Sequence, residues 1–134
     1  MYLSELNSND RKDFLELAFY AMGVNGEHKE NEQSVYQAFV HECEFEQYDP
    51  QHQSEVTKVI TKLSKKSNKI KRIVVIELLG ILLADGEICE AENEFLSLLA
   101  TKFDMETYEI KKIKRWVENM NDLVAEGYRM LEVE

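Results

Sequence analysis

The side chains best able to do chemistry are concentrated in one short acidic stretch, Asp85-Gly86-Glu87-Ile88-Cys89-Glu90-Ala91-Glu92. Asp85, Glu87 and Glu92 can offer three carboxylates to a hard divalent cation such as Ca²⁺ or Mg²⁺, whose coordination is built from oxygen. The spacing matches the second half of an EF-hand loop. The earlier ligand positions fall on Ile81 and Leu83, so the loop is not an EF-hand. A structural role competes with the metal. Glycine closes a helix at positive φ without steric cost, and glutamates in the first turn of the next helix sit at the positive end of its dipole. Asp85 fits that role less easily, because it follows an apolar helix and faces the negative end of that helix's dipole. It calls for an N–H donor, a basic side chain or a cation.

Glu77 is the other carboxylate in an unusual place, inside the apolar run Ile73–Ala84. Burial of a carboxylate is costly unless it is paired or protonated. It therefore reaches the rim, pairs with a lysine or arginine, or lines a polar pocket together with the acidic turn. Between Lys58 and Arg72 there are seven basic residues and no acidic one. Lys58, Lys62, Lys65, Lys66 and Lys69 form either a solvated face or a patch for an anionic partner. A formal net charge of −10 and the lack of interleaved aromatics argue against nucleic acid. Lys111, Lys112, Lys114 and Arg115 flank Trp116, which reads as a core residue.

Parts for catalysis are missing. His28, His41 and His52 have no metal-ligand spacing, and there is no nucleophile elbow, P-loop or dinucleotide fingerprint. Cys43 and Cys89 are far apart without a C-x-x-C spacing and read as free thiols. No apolar stretch approaches the roughly 20 residues that span a bilayer. Nor does the N-terminus resemble a secretory signal, so the expected location is the cytoplasm.

The elements that must position these residues are helices. Phe14, Leu17, Ala18 and Ala21 keep helical spacing after the capping cluster Asn7-Ser8-Asn9-Asp10. Val35, Phe39 and Cys43 mark a second helix. Asp49-Pro50 predicts the start of a third, carrying Val56, Val59, Ile60 and Leu63. Ser67 or Asn68 restarts the chain, and Ile73–Ala84 is the central buried helix. Phe95, Leu98 and Leu99 lie in the next helix, and Ile110, Ile113, Val117 and Met120 in the one after. Leu123, Val124 and Leu131 line a last short helix after Asn121. The expectation is one all-α domain, a bundle of six to seven helices.

Sliding the sequence on itself by sixty positions lays Asn25-Gly26-Glu27-His28-Lys29-Glu30-Asn31-Glu32 over the acidic stretch, with Gly and three Glu coinciding. Two helix-turn-helix hairpins, about 10–48 and 70–108, would bury their apolar stripes against each other. The run Leu83-Ala84-Asp85-Gly86-Glu87-Ile88 with Glu92 resembles the TerB-like domain family, named for a bacterial tellurite-resistance protein. It is also similar to the N-terminal region of membrane-anchored DnaJ-type co-chaperones. The likeness is strongest from about Ile70 to Met120. It implies an all-helical fold, a role in stress response or membrane-associated complexes, and acidic residues that bind divalent metal: Asp85 and Glu92, with Glu87 nearby. In the first copy the matching positions are Asn25, Glu32 and Glu27, and Asn25 in place of aspartate breaks the symmetry of a paired site. The chain carries no J-domain motif. The expected function is a non-enzymatic module for protein interaction or metal sensing, acting with a protein partner or as a homodimer. A metal-dependent hydrolase and a purely structural adaptor are the alternatives.

Overall fold

The computed structural model describes residues 1–24, 26 and 30–132, and among them every regular element is a helix. Six α-helices follow in order: α1 Ser8–Met22, α2 Glu30–Glu42, α3 Val56–Ser64, α4 Asn68–Leu82, α5 Glu90–Lys102 and α6 Thr107–Leu131. Short 3-10 turns at Leu3–Glu5 and Gln53–Glu55 precede α1 and α3.

The hairpin repeat extends to the helix boundaries. A shift of sixty residues carries α1 onto α4 and α2 onto α5, end for end. The caps follow the same shift. Asn7 and Ser67 are the N-caps of α1 and α4, each accepting an N–H from three residues on. Gly26 and Gly86 take φ of 81° and 94°, the left-handed turn for which glycine is suited. Both α2 and α5 end in a left-handed residue, Glu44 and Asp104, followed by the long backbone bonds Phe45 N–H to Val40 and Met105 N–H to Ala100. These are Schellman closures. The local signals were therefore duplicated together with the apolar pattern.

α1 and α4 form the centre. α1 packs against α2, α3 and α4, and α4 also meets α2 and α6. Phe14, Leu15, Leu17 and Ala18 on α1, and Val74, Val75, Leu78 and Leu79 on α4, are fully buried. The apolar run at 73–84 is thus explained as the element with neighbours on several sides.

Two expectations about the chain's course are corrected. Asp49-Pro50 does not open α3, which begins at Val56 after the 3-10 turn. The N–H groups of Gln51 and His52, which a helix starting there would leave free, are both taken by the Glu16 carboxylate. The last two predicted helices are one: α6 runs through Asn121 without a break, 25 residues in all. Neither glycine nor proline stands near Asn121 to stop it, and asparagine is tolerated inside a helix at a modest cost.

Candidate functional site

The acidic turn between α4 and α5 is organised by its own backbone. Asp85 Oδ1 accepts the Glu87 N–H at 3.4 Å, the kind of donor its awkward position called for. Glu92 is buried and turns back to accept the Cys89 N–H at 2.9 Å, closing the first turn of α5. Asp85 and Glu87 are exposed, so the three carboxylates do not share one surface. Among the described residues no group of three His, Cys, Asp or Glu side chains is arranged to hold a metal ion. In the first copy Glu32 is fully buried at the start of α2, while Asn25 and Glu27 lie outside the described residues.

Glu77 is buried and belongs to neither the rim nor the acidic turn. Its partners are the Met1 ammonium at 3.1 Å and the Tyr2 N–H at 3.3 Å. Glu42 shares the ammonium at 2.7 Å and takes the Leu3 N–H at 3.0 Å. Partial burial disfavours the charged amine, but the bonds and charges of Glu42 and Glu77 outweigh that and raise its pKa.

The basic run faces the acidic residues of the first helices. Lys62 pairs with Asp13 at 3.1 Å, Lys66 with buried Asp10 at 3.3 Å, Lys69 with Glu5 at 2.7 Å and Lys58 with Glu55 at 3.6 Å. Lys71 donates to the Phe103 carbonyl at 3.0 Å, and Arg72 pairs with Glu109. Lys65 is exposed. Most of the run's charge is thus engaged within the chain. The exposed pairs, Lys58–Glu55 and Lys69–Glu5, are individually worth about 0–1 kcal/mol. Lys62 and Lys66 instead answer the buried carboxylates Asp13 and Asp10 and so orient α3 and the turn after it against α1.

The sequence reading missed Glu16. Its buried carboxylate gathers the Tyr48 hydroxyl, the Gln51 and His52 N–H groups and the Gln53 amide, the last three each at 2.9 Å. Burial opposes the charged form, yet these four donors together hold the carboxyl below the usual range. The same burial, with the Glu16 charge, pushes the Tyr48 phenol up. The arrangement pins the segment 48–53 across α1. The signal was available: Glu16 interrupts Phe14-Leu15-Glu16-Leu17-Ala18 as Glu77 interrupts its own run.

The most open feature is α6. At about 1.5 Å per residue it is roughly 37 Å long, and Val117 is its one buried residue. Trp116, expected in the core, is 43% exposed, and Leu123 and Leu131 are 67% and 81% exposed. Val124, Tyr128 and Met130 are exposed as well. Trp116, Leu123 and Met130 are spaced by seven, as are Val117, Val124 and Leu131. On a helix these two rows are about 100° apart and bound one broad apolar face, with Met120 and Gly127 between them. Toward the N-terminal half the stripe meets a groove of about 520 Å³ lined by Tyr2, Ile76, Ile113 and Trp116, with Arg72 and Lys112 at its edge. On the other flank Glu118, Asn121, Asp122 and Ala125 look across a second, more polar groove to α2 and the end of α4. No helix among the described residues is long and apolar enough to cross a membrane. No family model, curated protein or solved structure matches the chain.

Proposed function

We propose that this chain is a non-catalytic helical module that works by protein–protein contact, with α6 as its contact element. The observation that supports the reading is the row of exposed apolar side chains Trp116, Leu123, Val124, Met130 and Leu131, which the chain's own core leaves uncovered. Contiguous exposed apolar surface of this kind marks interaction sites in soluble proteins. The acidic turn between α4 and α5 is read as structural, since Asp85 and Glu92 each answer a backbone N–H. The resemblance of Leu83–Ile88 and Glu92 to the TerB-like family would place such a module in a bacterial stress-response system.

Lysine cross-linking in a native extract tests the reading. Cross-links to another polypeptide should leave from Lys111, Lys112 and Lys114 and should vanish in a Leu123→Glu/Leu131→Glu variant whose helix content and melting temperature are unchanged. Cross-links that leave from the Lys58–Lys71 region, or that survive the variant, would overturn it.

A further inference from the structure

We infer that the partner of α6 is a second copy of the same chain, docked antiparallel. The inference rests on the reading of α6 as a contact element and names what covers it. Three observations carry it.

The first is the charge order along the helix. Lys111, Lys112, Lys114 and Arg115 lie in its first half, where the one acidic residue, Glu109, is bound to Arg72, and Glu118, Asp122 and Glu126 lie in its second, where the one basic residue is Arg129. Two copies side by side in parallel would set like charges together. Reversed, each basic half lies along an acidic one, and the two helix dipoles oppose.

The second is shape. Gly127 lies on the stripe, and a Cβ built there would meet nothing within 4 Å. Trp116 is the bulkiest group on the same stripe. An antiparallel crossing near Asn121 and Asp122 puts each Trp116 opposite the other copy's Gly127. The five side chains Trp116, Leu123, Val124, Met130 and Leu131 expose roughly 600 Å² per copy, before any polar rim, against about 800 Å² per partner in a standard interface.

The third is the repeat itself. Ile76 on α4 holds the register position that Glu16 holds on α1. In the first half that position is covered by the chain's own segment 48–53. In the second half only four residues, 103–106, separate the hairpin from α6, so no such cover exists and Ile76 lines the open groove beside Trp116. The antiparallel partner brings Leu123, Met130 and Leu131 to that groove, and by symmetry receives the same. The overall charge of −10 opposes association. Apolar burial therefore supplies the affinity, and the charges set the direction.

Sedimentation equilibrium gives the first test. The wild type should dimerise, and Leu123→Glu should weaken the dimer at least about a hundredfold, because a central apolar contact is lost twice in a symmetric interface. Leu98→Glu, at an exposed apolar residue of α5, should leave the dimer unchanged. Orientation is read from spin labels in a Cys89→Ser background. Labels at residue 119, which borders the stripe, should lie within about 20 Å of each other and labels at residue 112 roughly 25–30 Å apart. Short distances at both positions mean a parallel pair and overturn the inference. A chain that stays monomeric with a freely exchanging α6 end overturns self-docking while leaving the contact reading in place. A monomer that Leu123→Glu unfolds overturns both, because the stripe then belongs to the chain's own core.

Discussion

Replacing Glu16 by glutamine removes one charge and one acceptor from the point where the segment 48–53 is tied to α1. The carboxylate divides its donors between two oxygens. Oε2 takes the Tyr48 hydroxyl and the Gln51 N–H, and Oε1 takes the His52 N–H and the Gln53 amide. Whichever oxygen becomes an NH₂ group, one backbone N–H loses its acceptor, while Tyr48 or Gln53 can turn round to accept. A stranded buried donor costs about 1–3 kcal/mol, and the remaining bonds fall from charged to neutral strength. The total is about 2–4 kcal/mol. For a chain of this size that lowers the melting temperature by roughly 6–15 °C. Acidity supplies the sign. The folded carboxyl titrates below its ordinary value of 4.5, so its contribution is complete above that pH and is lost as the pH falls through the lowered folded value. Urea melts of the two proteins should therefore differ by a constant amount from pH 8 to about 5 and converge on further acidification. A cost below about 0.5 kcal/mol, within the range of ordinary surface substitutions, or a gap that widens on acidification, would refute this account of the loop.

Two further outcomes follow from the burial pattern. Cys43 is buried beneath α2, and desolvation, partly offset by Arg11, pushes its thiol up to about 11. A thiol reagent at pH 8 should modify half-buried Cys89 first and reach Cys43 only in denaturant; simultaneous reaction would mean that the α2 end opens readily. At the acidic turn, Asp85→Asn should cost under about 0.5 kcal/mol because the asparagine Oδ1 can accept the same Glu87 N–H. Millimolar Ca²⁺ or Mg²⁺ should leave the wild-type melting temperature unmoved. A rise that grows with metal concentration and is lost in Asp85→Asn/Glu92→Gln would restore the turn as a metal site.

Much of this architecture was legible because its signals are local. The capping cluster before α1 and Ser67 before α4 each fix a helix end through the chain next to it. What could not be read was decided at a distance. The start of α3 depends on Glu16, more than thirty residues upstream, capturing two N–H groups. Trp116 and the end of α6 carry the same apolar periodicity as a core helix, and sequence spacing alone does not say whether the neighbour is the chain's own bundle or another molecule. The acidic turn was the opposite case. Its carboxylates suggested ligands by type and spacing, but only the side-chain directions separate Glu92, folded back on Cys89, from exposed Asp85 and Glu87.

The central claim, that the outer half of α6 is free in the single chain and occupied in the assembled one, is tested most directly by amide hydrogen exchange along this helix at two protein concentrations. In dilute protein the amides after Asn121 should exchange far faster than those around Val117, since an unsupported helix end of about ten residues is marginal in water. Concentrating the protein should slow them selectively. Strong protection after Asn121 in the dilute chain, unchanged on concentration, would contradict the account, because that half of α6 would then be held by its own bundle.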